Sequence, residues 1–211
     1  MNFEEAKKNY CDFLLKNGAI CIRNPEEEPF QLRSGGRSRI SINFTAIGCD
    51  SDSFSALLKA IAVFLPRNNF VLCNVDSKIS PQMVGALAYA LHAPQILYKS
   101  DELLLTEKGV MKQISIPKSI IDSVFILDDV GTSGSTVIKV SKLIREILGM
   151  NIDITLLIGL VREPEVLLAA LKEHNIFYKS IVTLDELLTM HWKSFSISQQ
   201  NAILMERKLK V

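Results

Sequence analysis

The stretch Val124-Phe125-Ile126-Leu127-Asp128-Asp129-Val130-Gly131-Thr132-Ser133-Gly134-Ser135-Thr136 decides how the rest of the chain is read. Val124 to Leu127 is a short apolar run, suited to a strand buried on both faces of a sheet. Two carboxylates follow at once, then a loop of glycines and small hydroxyl residues. From Val137 to Leu148 the apolar residues recur at helical spacing, so the predicted order is strand, loop, helix.

Such a loop has a physical use. Glycines and small side chains let consecutive backbone N–H groups turn toward one point, and the helix N-terminus behind them adds positive potential. A phosphate monoester is the natural guest. Asp128 and Asp129 would repel a phosphate unless they contact the neutral part of the same ligand, and ribose hydroxyls, which donate hydrogen bonds, fit that role. The plainer alternative is a strand edge whose aspartates merely cap the next helix. The joint occurrence of apolar run, acid pair, glycine-hydroxyl loop and helix favours the ligand-binding reading. The loop is not a phosphate-binding Walker A loop, because it lacks the lysine before the hydroxyl residue, and it lacks the three-glycine spacing of a dinucleotide fingerprint.

The segment resembles the phosphoribosyl pyrophosphate (PRPP) motif of type I phosphoribosyltransferases. The resemblance implies that Asp128 and Asp129 hold the ribose as catalytic residues, and that Val130, Gly131, Thr132, Ser133, Gly134, Ser135 and Thr136 cradle the 5-phosphate. Upstream, Phe70 to Val75 reads as a continuous apolar strand, and Asp76-Ser77-Lys78-Ile79-Ser80-Pro81 is the loop at its C-terminal end, where ligands bind in an open parallel sheet. By resemblance this is the pyrophosphate loop, with Lys78 facing pyrophosphate; the family's glycines are missing and Asp76 is an unusual neighbour.

Gln95 to Lys99 is another short strand. Leu103 to Thr106 and Val110 to Ile116, on either side of Glu107-Lys108-Gly109, suggest a hairpin. In orotate phosphoribosyltransferases this region carries a mobile basic loop of approximate pattern Arg-Lys-x-x-Lys-x-His-Gly. Here Tyr98-Lys99-Ser100-Asp101-Glu102-Leu103-Leu104-Leu105 stands in its place, and only Lys99 keeps its chemistry, as a catalytic and pyrophosphate-facing residue. Downstream, Ile152 to Val161 forms the next buried strand and Arg162-Glu163 lies at its end. The resemblance gives Arg162 the carboxylate of the base; a rim salt bridge with Glu163 or Glu165 is the alternative.

Nearer the start, Phe30-Gln31-Leu32-Arg33-Ser34-Gly35-Gly36-Arg37-Ser38 reads as strand and glycine turn, followed by an alternating strand from Arg39 to Phe44. It is similar to the Phe-x-Leu-Lys-Ser-Gly-Arg-x-Ser stretch of orotate phosphoribosyltransferases, which places Arg33 at the base. Arg33, Arg37 and Arg39 as solvated turn residues is the competing reading. Helices are expected over Phe3–Leu15, Ser53–Leu65, Pro81–Leu91, Pro164–His174 and Ser196–Lys210, with a strand over Ile176–Thr183 and a short helix from Leu184. His92 is expected to have a cap or dipole role at the end of its helix.

The composition sets bounds. With 211 residues, 48% hydrophobic and 22% charged, the chain suits one ordinary globular core. A formal charge of +1 advertises neither nucleic acid nor an anionic membrane, so anion recognition must be local. Cys11, Cys21, Cys49 and Cys73 have no metal spacing and read as buried free thiols. The start of the chain lacks a signal-peptide form and no apolar run reaches the ~20 residues of a membrane span, which gives a cytoplasmic expectation.

The expected fold is α/β, a doubly wound, mainly parallel sheet with a small N-terminal hood and a β-hairpin arm. Residues 1–211 form a single domain in this reading, with 1–45 contributing the hood and 191–211 a C-terminal helical extension. The resemblance implies a transferase moving ribose 5-phosphate from PRPP to orotate in pyrimidine biosynthesis, in a homodimer. Mg2+ would be held mainly by ligand oxygens and water, with no direct protein ligand. The rival readings are a catalytically impaired PRPP- or nucleotide-binding regulator and a phosphoribosyltransferase for another base.

Overall fold

The strand that holds Asp128 is longer than its apolar run. In the computed structural model, which describes residues 2–32, 36–99, 102–107, 110–112 and 121–207, it spans Ser123–Gly131, so the acid pair, Val130 and Gly131 lie on the strand and not in the loop. The reason is its neighbour. A strand over Asp153–Val161 stays in parallel register alongside it, with Asp128 opposite Ile158, Val130 opposite Leu160 and Gly131 opposite Val161.

In chain order the elements are α1 (Phe3–Lys16), β1 (Ile20–Ile22), β2 (Phe30–Gln31), β3 (Arg37–Ser38), β4 (Ile40–Ile42), α2 (Thr45–Gly48), α3 (Ser51–Ala62), β5 (Phe70–Asn74), α4 (Ser80–Leu91) and β6 (Gln95–Lys99). They continue with β7 (Glu102–Glu107), β8 (Val110–Lys112), β9 (Ser123–Gly131), α5 (Ser135–Leu148), β10 (Asp153–Val161), α6 (Pro164–Lys172), β11 (Phe177–Thr183), α7 (Leu184–Met190), a short 3-10 turn (Trp192–Ser194) and α8 (Ile197–Glu206). The chain divides into two compact units, residues 57–181 and residues 1–56 with 182–211.

The larger unit is built on a sheet of order β11-β10-β9-β5-β6-β7-β8, whose first five strands are parallel. β7 returns antiparallel to β6, and β8 antiparallel to β7. The expected hairpin arm is therefore present, although Lys108, Gly109 and Gln113 to Ile116 lie outside the described residues. Strand alternation explains why the central strands read as unbroken apolar runs. Val71, Cys73, Val124, Ile126, Ile154, Leu156 and Ile158 form one buried row, covered by Val137, Val140, Ile144 and Leu148 of α5 and Leu167 and Leu171 of α6. The alternate row, with Leu72, Leu127 and Leu157, is buried as well, and α4 packs on β5, β6 and β9 without joining the first cluster. Helices on both faces make the sheet doubly wound.

The smaller unit corrects the N-terminal expectation. Phe30–Gln31 pairs with Arg37–Ser38, but the next strand, β4, pairs with β1. Arg39 is more than a solvated turn residue: half-buried, its Nη1 donates to the carbonyls of Asn24 and Glu27, both at 2.7 Å, and so fixes the preceding turn. Ser38 Oγ donates to Glu206 Oε1, and the Arg39 N–H donates to Glu206 Oε2 at 2.5 Å. The last turn of α8 thus clamps the β3–β4 junction. The expected helix beyond Glu206 is not formed at Arg207, and Lys208 to Lys210 lie outside the described residues.

All four cysteines are free, but only Cys11 and Cys73 are buried; Cys21 and Cys49 are exposed. Burial pushes the Cys11 thiol up to about 12, which leaves it unreactive. His92 caps α4 in the left-handed region at φ 52°, as expected. Among the described residues no helix is long and apolar enough to cross a membrane.

Candidate active site

The chain order of the parallel strands creates the site. From β5 the chain passes through α4 to β6 on one side; from β9 it passes through α5 to β10 on the other. The direction of winding reverses between β5 and β9, and a crevice opens at such a point beyond the C-terminal strand ends. Lys78 follows β5, Lys99 ends β6, Asp128 to Gly131 end β9 and Arg162 follows β10, so these residues share that edge. Arg33, assigned to the base by resemblance, lies outside the described residues.

Asp128 and Asp129 are both half-buried. The Asp129 N–H donates to Asp128 Oδ1 at 2.9 Å. Burial first, then the charge of Asp129 and a hydrogen bond between the two carboxyls, hold Asp128 well above the usual carboxylate range. Like charges this close cannot both ionise cheaply, and a positive or hydrogen-bond-donating ligand group would relieve that cost.

The end of β9 and the loop after it contain two kinds of residue. A Cβ on Gly131 would sit 2.7 Å from Ile158 Cδ1 and 3.0 Å from Leu167 Cδ2; on Gly134 it would meet Leu167 Cδ1 at 3.0 Å and Leu171 Cδ2 at 3.2 Å. Gly134 is also left-handed, at φ 73°. These glycines answer to the packing of α6 against the loop as much as to any anion. The hydroxyl residues Thr132, Ser133, Ser135 and Thr136 are exposed, with Ser133 Oγ donating to Ser135 Oγ at 3.4 Å. Gly134 occupies the N-cap of this 14-residue helix, α5, and no side-chain hydrogen bond caps it.

Arg162 continues the ladder, its N–H donating to the Gly131 carbonyl at 3.0 Å. The side chain is buried, and its Nε lies 3.9 Å from Glu163 Oε1, the rim pair anticipated as the alternative to base binding. At that distance the contact is a loose ion pair rather than a bidentate clamp. Lys78 and Lys99 are exposed, and Lys99 is the register partner of Glu102.

Two site residues escaped the sequence reading. Asn74, almost fully buried, accepts from the Tyr98 N–H at 2.8 Å and donates to the Tyr98 carbonyl at 2.9 Å, tying the end of β5 to the end of β6. Ser80, fully buried, accepts from the Val75 N–H at 2.9 Å and donates to the Leu127 carbonyl at 2.6 Å. A polar residue ending an apolar strand was the available signal for Asn74; Ser80 had none beyond its place before Pro81.

No protein-family model matches the sequence, and no curated protein is significantly similar to it. Solved structures do share its fold. Orotate phosphoribosyltransferase from Aeropyrum pernix superposes with a TM-score of 0.66 at 23% identity, covering 86% of this chain and 98% of that one. Orotate phosphoribosyltransferase of Mycobacterium tuberculosis H37Rv, in complex with PRPP, gives 0.59 at 10% identity, covering 86% and 98%. Adenine phosphoribosyltransferase from Saccharomyces cerevisiae, complexed with an imino-altritol bisphosphate and adenine, gives 0.52 at 13% identity, covering 82% and 99%. The fold is that of a type I phosphoribosyltransferase. Within that fold the described matches are mostly to orotate phosphoribosyltransferases. Identities this low establish the architecture and leave each side chain's role to its own geometry.

Proposed function

We propose that the protein is a PRPP-dependent phosphoribosyltransferase that transfers ribose 5-phosphate to orotate, giving orotidine 5'-monophosphate and pyrophosphate. The observation that carries this reading is the acid pair at the winding reversal, followed directly by exposed hydroxyls and a helix N-terminus without a side-chain cap. In the reaction, the bond from ribose to pyrophosphate breaks ahead of bond formation to the base nitrogen, so positive charge develops on the ribose ring. Asp128 and Asp129 accept from the ribose hydroxyls and stabilise that charge. The amides and hydroxyls of Thr132 to Thr136 fix the 5-phosphate, Lys78 and Lys99 face the pyrophosphate, and Arg162 orients the carboxylate of the base.

Magnesium fits this donor set as a companion of the ligand. Among the described residues no cluster of three His, Cys, Asp or Glu is placed to hold a metal, and Mg2+ commonly takes one or two carboxylates plus phosphate oxygens and water. Bound there, it would supply neutralisation of the leaving group. The proposal extends to a homodimer, which light scattering would read.

One observation favours a second reading. Lys99 is paired in register with Glu102 at the start of a six-residue strand, where the orotate enzymes carry basic residues. A protein that binds PRPP or a nucleotide without turnover accounts for that. Mixing protein, Mg2+, PRPP and orotate and following pyrophosphate separates the two. Pyrophosphate release that depends on orotate supports the transferase; PRPP binding by calorimetry without product supports the regulator, and a panel of other bases tests the choice of acceptor.

A further inference from the structure

The crevice between β5 and β9 poses a problem of backbone chemistry. The two strands pair in parallel as far as Asn74 opposite Leu127, then part; β9 continues to Gly131 beside β10, while β5 turns into the loop carrying Lys78. Strands that separate in a buried region leave ladder groups without partners, and an unmet buried N–H or C=O is costly. Here both orphaned groups, the Val75 N–H and the Leu127 carbonyl, are met by one hydroxyl, that of Ser80, at 2.9 and 2.6 Å. A serine hydroxyl carries one donor and can accept as well, which is what bridging a donor on one strand and an acceptor on the other requires. The Ser80 N–H in turn donates to Ser77 Oγ at 3.1 Å, so the loop from Val75 to Ser80 is pinned at both ends.

We infer that Ser80 is a positioning residue: it sets the spacing between the Lys78 loop and the Asp128–Asp129 strand end, and so the fit of a ligand that spans both. This rests on the phosphoribosyl reading above. The spacing matters most for a ligand whose two ends are joined. A sugar phosphate alone, or pyrophosphate alone, finds its own half-site whatever the spacing. PRPP gains from linking the halves only when the geometry lets both ends engage together.

Ser141 is a fitting control. It is equally buried in the same unit, but its hydroxyl donates at 2.8 Å to the Ile138 carbonyl of its own helix. The experiment is calorimetry on wild type, Ser80→Ala, Ser80→Cys and Ser141→Ala with Mg2+ and, separately, ribose 5-phosphate, pyrophosphate and PRPP. Ser80→Ala is expected to bind each half-ligand within about threefold of wild type and PRPP roughly tenfold or more weakly, the scale of one lost buried hydrogen bond. Ser141→Ala should match wild type for all three. Ser80→Cys keeps the size of the side chain with a weaker donor; it should show a smaller loss of the same pattern, and decides the matter if the alanine variant does not fold. Unchanged PRPP affinity in the Ser80 variants would overturn the inference, as would equal losses for half-ligands and PRPP, which mark a general structural role. A wild-type protein that binds neither PRPP nor ribose 5-phosphate would instead sink the phosphoribosyl reading, and the inference with it.

Discussion

The loop after β9 and the loop after β5 leave the same edge of the same sheet and are built in opposite ways. The first is framed by glycines: Gly131, which closes β9, and Gly134 let Leu167 and Leu171 of α6 press against the backbone, and the hydroxyl residues between and after them are left exposed. The second has no glycine, and is held by a buried serine bonded to β9. Steric fit fixes one turn and hydrogen bonding the other. A glycine turn leaves its amides free to serve a ligand, whereas a hydroxyl-stapled turn consumes its polar groups internally and offers only what projects from it, chiefly Lys78.

If the β9 loop is the binding half, its variants should dominate. Asp129→Asn should weaken ribose 5-phosphate binding the most, by roughly 10- to 150-fold for the ~1.5–3 kcal/mol of a hydrogen bond to a charged group, as calorimetry would read. Gly131→Ala should cost ~1–3 kcal/mol of stability by overpacking Ile158 and Leu167, measured as a lowered urea midpoint. A Gly131→Ala protein as stable as wild type would remove the steric half of the comparison.

Asp128 sharpens it through pH. Its folded-state value is raised, so the folded protein holds a proton that the unfolded chain has lost. Its contribution to stability is therefore full below the ordinary carboxylate value of about 3.9 and is lost as pH climbs from there through the raised value. Asp128→Asn removes that decline: its Tm should exceed that of wild type at pH 7, the gap closing toward pH 4. Lys78→Ala should have the smallest effect, within about 0.5 kcal/mol on stability for an exposed loop residue. Any affinity it loses should be for pyrophosphate and PRPP and not for ribose 5-phosphate.

The same two loops show what a sequence discloses. The core strands were legible because burial on both faces leaves an unbroken apolar run, as in Val124 to Leu127. The acid pair stood out because two carboxylates ending such a run demand an explanation. The extent of β9 was not legible, since whether Asp128 to Gly131 stay on a strand depends on Ile158 to Val161 lying beside them. Nor was the second purpose of the glycines, which lies in α6, more than 30 positions on. Ser80 was silent because a serine's meaning resides in what faces it. Arg39 looked like its neighbour Arg37 until its carbonyl partners fixed it as part of a turn.

The clamp by which Glu206 grips Ser38 and Arg39 bears on how the molecule is made. Residues 57–181 are contiguous in the chain, whereas the other unit joins residues 1–56 to residues 182–211. The β3–β4 junction must therefore wait for a residue 167 positions after Arg39 before it is locked, and the whole intervening unit is synthesised in between.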